Sequence, residues 1–171
     1  MGRSDHEIVA VVDRDNRLVN RLPRHIVRSQ NLPHRAAYIL VFNNKNELFL
    51  QKRTADKDVF PGLWDCAAGG VVLADEAYEQ AARRELFEEL GIRPLHLPFH
   101  FLHYYEDHLT TVWGAVFTCR HEGPFTLQHE EIAYGTFRSL PEIFALAPNE
   151  PITPDGLEIL KRIAANHEET P

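Results

Sequence analysis

The chain has 171 residues, 44% hydrophobic and 25% charged, which suits one domain with its own core and excludes collagenous, low-complexity and disordered classes. Its 25 acidic residues outnumber 18 basic ones, for a formal charge of −7. A chain of this sign has no global attraction for nucleic acid or anionic membranes, although a local basic patch or a bound metal still permits small anionic ligands. Cys66 and Cys119 make neither a disulfide framework nor a CxxC metal site. The start, MGRSDHEIVAVV, lacks the basic and long apolar regions of a secretory signal, and no apolar run reaches the ~18 residues of a membrane span. The expectation is a cytoplasmic chain, monomeric or homodimeric.

In chain order, EIVAVVD and RLVNRLP flank the turn-like DRDN and predict an opening hairpin, with a short helix over 24–31 before Pro33. AAYILVFN reads as a buried strand, NKNE as a turn and LFLQKR as the second strand of the clearest hairpin in the chain. The segment TADKDVFPGLWDCAAGG mixes charge, Pro and Gly and predicts a loop, with room for a short strand around 64–67. A helix is predicted over 75–90, capped by Asp75, favoured at its start by Glu76 and Glu79, and closed by Gly91 at C′. Strands follow over 99–105 and 110–119, the second interrupted by Gly114, where a bulge or close packing is expected. GPFTL and IAYGTF read as further strands around the acidic QHEE loop, LPEIFAL as one or two helical turns, and Thr153-Pro154-Asp155 as the start of a last helix. Leu157, Leu160, Ile163 and Ala164 share a face of that helix. This order implies a mixed sheet with helices packed on it.

Helical residues advance about 100° each, so Glu85, Glu88 and Glu89 fall within one arc of about 100°, with Leu86, Phe87 and Leu90 largely opposite. Three carboxylates on one arc repel one another by a few tenths of a kcal/mol per pair unless something neutralises them. A hard divalent cation does so naturally, since Mg²⁺ prefers carboxylate oxygens and keeps waters for phosphates to displace. A solvated acidic face is the competing explanation. His96, His100, His103 and His108 also cluster, but Pro94 and Pro98 argue against a helix there, and strand alternation sends His100 and His103 to opposite faces. Trp113, Tyr104 and Tyr105 read as core aromatics, and Cys66 as a buried small residue without a paired base.

From Gly70 to Ile92 the chain reads GVVLADEAYEQAARRELFEELGI, which matches G-x5-E-x7-R-E-U-x-E-E-x-G-U, with U an aliphatic residue. In this the chain resembles the Nudix hydrolases. The resemblance implies an α/β fold, the Nudix α/β/α sandwich with a mixed β-sheet, over a single domain of residues 1–171. Within it, 1–33 would form the N-terminal hairpin and short helix, 34–150 the core, and 151–171 the C-terminal helix and tail. It also implies hydrolysis of a small-molecule nucleotide with Mg²⁺ or Mn²⁺; the charge balance adds the expectation of neither nucleic-acid nor membrane partners. Carried over by motif position, Glu85, Glu88 and Glu89 would hold metal, together with a backbone carbonyl of Gly69 or Gly70. Arg84 would orient a glutamate, and Glu76 would brace the loop. By the same resemblance Arg53 is a candidate phosphate-binding residue and Glu131 an extra catalytic carboxylate, each weighed against plain surface charge. Trp64, in the loop before the motif, is the best candidate for stacking on a base.

LPHRAAYILVFNNKNELFLQKR and PGLWD also resemble the isopentenyl-diphosphate isomerase branch of that superfamily. There the proton transfer needs a cysteine and a glutamate, and the matching positions here are Gly69 and Val112. An intact motif with those departures implies phosphoanhydride hydrolysis, most simply of nucleoside di- or triphosphates to a nucleoside monophosphate. The alternatives are an isomerase-like enzyme and a nucleotide-binding regulator without catalysis.

Overall fold

The run His34–Phe42 (β3) explains the layering. Ala37, Ile39 and Val41 point to one side and Leu40 and Phe42 to the other, and all five are buried, so both faces of the strand must be covered. The computed structural model describes residues 6–168. In it Ile8–Val12 (β1) and Leu18–Pro23 (β2) form the opening hairpin, and Arg24–Ser29 (α1) follows directly. Leu48–Arg53 (β4), Trp64–Asp65 (β5) and Ala68–Val71 (β6) precede the long helix Tyr78–Leu90 (α2). Phe99–Glu106 (β7), Thr111–Arg120 (β8) and Ile132–Arg138 (β9) complete the strands, and Leu140–Leu146 (α3) and Pro154–Glu168 (α4) the helices.

The nine strands of the described residues form one mixed sheet. β8 runs parallel to β3 along its whole length, from His34↔Val112 to Phe42↔Arg120, while β6 pairs antiparallel with its first half. α2 covers one face: Ala81, Ala82, Leu86 and Leu90 pack on Ala37, Ile39, Ala115 and Phe117. α3 and α4 cover the other, where Ile143, Ile159, Leu160 and Ile163 meet Leu40, Leu48, Leu50 and Val116. The fold is the expected α/β/α sandwich.

Four local expectations change. The 36–53 hairpin is barely one: β3 and β4 meet only at Phe42↔Leu48, and β4 then pairs with β9 and β5. No strand forms at 123–127, because its donors serve the end of α2, Thr126 N–H to Leu90 O at 3.0 Å and Gln128 N–H to Glu89 O at 2.9 Å. α2 starts at Tyr78 rather than Asp75. Asp75 is exposed beside Arg21, and the Gln80 side chain accepts from Ala77 N–H at 2.8 Å instead. Phe87 is 46% exposed, its ring under the Arg93 guanidinium, so it is not part of the buried stripe. Gly114 marks close packing, since a Cβ there would lie 2.3 Å from the Tyr38 ring.

Candidate active site

The loop–helix from β6 into α2 is held by Arg84. Its Nε and Nη2 donate to the two Glu76 oxygens at 2.8 and 3.0 Å, Nη2 also to Val71 O at 3.1 Å, and Nη1 to Glu85 Oε1 at 2.6 Å. Glu76 in turn accepts from Leu73 N–H at 3.1 Å, which explains why 72–77 makes a braced turn and not another turn of helix. The five-donor guanidinium fork is what allows one side chain to serve two carboxylates and a carbonyl at once.

On α2 the buried arc is centred near Leu86. At about 100° per residue Glu89 falls inside it, Glu85 at its edge and Glu88 beyond it. The structure follows that order: Glu89 is 6% exposed, Glu85 half-buried, and Glu88 exposed, with Oε2 3.2 Å from Arg84. The three glutamates therefore do not form one cluster. Arg84 supplies a fixed positive charge to Glu85 and Glu88, and Glu85 and Glu89 remain as a close buried pair. Among the described residues no three His, Cys, Asp or Glu side chains are assembled as a metal-binding group.

The Glu85–Glu89 pair meets the sheet at two glycines. Gly69 N–H donates to Glu89 Oε2 at 3.0 Å, and a Cβ on Gly70 would lie 2.6 Å from Glu85 Oε1. Burial, and then the neighbouring Glu85, pushes the Glu89 carboxyl up to about 8; burial raises that of Glu85 against the pull of Arg84. Two buried carboxylates side by side are what a divalent cation would neutralise, and Mg²⁺ commonly takes only one or two protein carboxylates besides water and phosphate. The donor set fits such an ion.

The other expected residues are distributed around this pair. Glu131 reaches the site through Lys57, whose ammonium contacts its carboxylate and faces Glu89. Arg53 is a strut: Nε donates to Phe60 O at 3.1 Å, Nη2 to Val59 O at 2.7 Å and Nη1 to Asp65 Oδ2 at 2.8 Å, which fastens the loop after β4. Trp64 is buried on the far face, its indole N–H donating to Glu150 and its ring edge-on to Tyr134 at 5.4 Å, so it does not line the cleft. His103 faces α4, with Nε2 3.3 Å from Glu158, while exposed His100 bonds Thr118 at 2.9 Å. Cys66 and Cys119 are buried free thiols.

Sequence reasoning missed the charged cavity beside the two glycines. Gly69 and Gly70 line a cavity of about 80 Å³, with room for several waters, together with Arg24, Arg28, His34, Lys57 and Asp58 and, further round, Arg53, Asp65 and Asp155. Burial holds His34 neutral by pushing its pKa down to about 3. The only signals were the charged triplet 56–58 inside a loop and the i, i+4 spacing of Arg24 and Arg28.

A mixed sheet between helices, with a braced Glu-rich helix against two glycines, defines a Nudix fold. The NUDIX domain profile matches residues 32–161, and the chain belongs to that family as a Nudix hydrolase. It is 42% identical over 154 residues to the uncharacterized Nudix hydrolase YfcD of Salmonella typhi, covering 90% of this chain and 83% of the relative. To the uncharacterized Nudix hydrolase PA4841 of Pseudomonas aeruginosa it is 41% identical over 158 residues, 92% and 94% of the two chains. Among solved structures, DR0079 of Deinococcus radiodurans superposes with a TM-score of 0.77 at 24% identity, over 91% of this chain and 98% of that one. The NUDIX domain of Shewanella oneidensis NrtR, complexed with ADP ribose, superposes with 0.61 at 18% identity, over 77% and 86%. Nudix hydrolases generally need divalent metal ions. No helix among the described residues is long and apolar enough to cross a membrane.

Proposed function

We propose that this chain hydrolyses a phosphoanhydride bond of a nucleoside diphosphate derivative, a nucleoside di- or triphosphate, and releases a nucleoside monophosphate. It would act in the cytoplasm without nucleic-acid or membrane partners. The observation that carries the reading is the Glu85–Glu89 pair against Gly69 and Gly70, whose carboxyls burial pushes up in spite of Arg84 and Lys57. Glu85 and Glu89, with a carbonyl of Gly69 or Gly70, are the residues to hold Mg²⁺ or Mn²⁺, and exposed Glu88 is the outer carboxylate. When bound, the ion polarises the bridging phosphates and lowers the pKa of a water.

The chain does the rest. Arg84 fixes the Glu85 rotamer through Nη1 and is itself held by Glu76, so the carboxylate keeps its aim at the cleft. Gly69 N–H holds Glu89 in the same way. Glu131, on the loop before β9 and paired with Lys57, is the candidate general base that takes the water proton at a carboxylate oxygen. Lys57 counters the charge that develops on the phosphate oxygens as the bond breaks. The framework likeness to isopentenyl-diphosphate isomerases does not extend to that chemistry. Val112 offers no proton, and at Gly69, with φ +147°, a Cβ would sit 1.9 Å from Ala37 O, so no cysteine fits without moving β3.

The test is product analysis by chromatography and ³¹P NMR after incubation with Mg²⁺ and, separately, nucleoside di- and triphosphates, sugar nucleotides and isopentenyl diphosphate. A nucleoside monophosphate is expected. Dimethylallyl diphosphate at enzyme-like rates, or binding of nucleotide and metal with no turnover of any of them, would sink the assignment.

A further inference from the structure

Arg24 and Arg28 project from α1, ahead of the matched NUDIX region, into the cavity that Gly69 and Gly70 floor. Their side chains are only 18% and 22% exposed, in a chain with a formal charge of −7 that has no general reason to bury guanidinium groups here. Arg28 Nε is a buried donor without a hydrogen-bond partner, and its Nη1 reaches Thr110 Oγ1 at 3.3 Å. Arg24 Nη1 donates to Glu7 at 3.2 Å. One carboxylate is shared between the two arginines: Asp58 Oδ2 lies 3.3 Å from Arg28 Nε and 3.8 Å from Arg24 Nη2. Burial pulls the Arg28 pKa down, and Asp58 is the main group opposing it.

We propose that Arg24 and Arg28 form an anion-receiving wall for a phosphate group of the substrate, and that Asp58 occupies this wall until the phosphate displaces it. The ligand class comes from the hydrolase reading above; the anion chemistry stands on the geometry. Two guanidinium groups facing one cavity match the oxygens of a phosphate, and charge-assisted bonds of this kind are roughly twice as strong as neutral ones. Asp58 makes a poor permanent partner. It is 45% exposed, and it leaves the buried Arg28 Nε–H without a hydrogen bond. Its neighbour Lys57 meanwhile sits against Glu131. Consecutive residues of one loop thus supply a stand-in anion to the basic wall and a stand-in cation to the acidic one. A phosphate at the arginine side would replace Asp58 and find the Lys57 ammonium lining the same cavity.

The experiment is titration calorimetry of the metal-free full chain with inorganic pyrophosphate at low and at moderate salt. Wild type should bind, and the R24M/R28M double variant should bind at least about tenfold more weakly, with a shallower salt dependence. Asp58→Asn removes the competing charge from an exposed position and should tighten binding by at least about threefold. This gain keeps the idea falsifiable if the double variant fails to fold. Unchanged or weaker binding by the Asp58 variant overturns the proposal, as does unaltered binding by a folded double variant. Nucleotide turnover with Mg²⁺, measured on the same preparations, separates the two readings. Turnover with arginine-independent pyrophosphate binding rejects the wall alone, and arginine-dependent binding without turnover rejects the hydrolase alone.

Discussion

Glu89→Gln distinguishes a carboxylate built to meet a cation from one merely tolerated in the core. Glu89 is 6% exposed, and burial, then the neighbouring Glu85, pushes its carboxyl from an ordinary 4.5 up to about 8. Between those values the unfolded chain has released the proton and the folded one retains it. The unfolded state therefore binds fewer protons, and stability falls as pH rises from about 4.5 to about 8. At pH 7 this amounts to about 3 kcal/mol, at 1.36 kcal/mol per pH unit. Gln keeps the size and the acceptor for Gly69 N–H but escapes that cost. With EDTA present, the variant should melt about 6–12 °C above wild type at pH 7, at about 2–4 °C per kcal/mol for a domain of this size. Near pH 5 the gap should close to about 2 °C. Saturating Mg²⁺ should close most of the gap at pH 7: an ion at about a hundred times its Kd adds about 2.7 kcal/mol to wild type and little to the variant. Thermal unfolding by circular dichroism across pH, with and without metal, reads all of this. A variant less stable than wild type in EDTA at pH 7, or a gap independent of pH, refutes the reasoning.

Three further outcomes are expected. Glu85→Gln should lower kcat by about 10²–10⁴-fold, whereas Glu79→Gln, which disturbs only the exposed Glu79–Arg83 pair, should alter stability by no more than about 0.5 kcal/mol and leave rate unchanged; steady-state kinetics of the two compare like changes of charge on one helix. Arg84→Lys keeps the charge but loses the fork across Glu76, Glu85 and Val71, so kcat should fall at least tenfold and stability by about 1–3 kcal/mol in denaturant unfolding. Gly69→Ala, with φ +147° and Ala37 O in the way, should destabilise by at least about 3 kcal/mol by the same assay; a Gly69→Cys chain should show no isomerase activity.

The fold was most legible where its cause is local. The seven-residue apolar run from Ala36 to Phe42 announces a strand covered on both faces, and Gly91 with φ 72° ends α2 where the pattern says it must. What failed was the pairing. NKNE is sound turn chemistry, and Asn46 does take a positive φ there, yet the turn cannot reveal that β3 will pair along its whole length with a parallel strand some seventy residues on. GPFTL has the composition of a strand, but where its N–H groups go depends on the last carbonyls of α2, and composition carries no information about them.

The site divides along the same line. Glu85, Glu88 and Glu89 lie on one helix, so spacing alone puts them on one arc, and the same 100° rule sorts them into edge, exposed and buried once the sheet is known to lie beneath Leu86. Arg24, Arg28, Lys57 and Asp58 come from a short helix and a charged loop, where each residue taken singly reads as solvated surface. Only the β3–β6 and β3–β8 pairing carries Gly69, Gly70 and Val112 beside them. That difference has a chemical counterpart. The carboxylate half of the proposed site, which would serve a metal ion, sits inside the matched region, while the guanidinium half comes partly from α1, outside it. A phosphoanhydride must be held at both ends for its bond to break in a fixed direction. On this reading the motif sets the metal side, and the proposed basic wall is where this chain would choose which phosphate it holds.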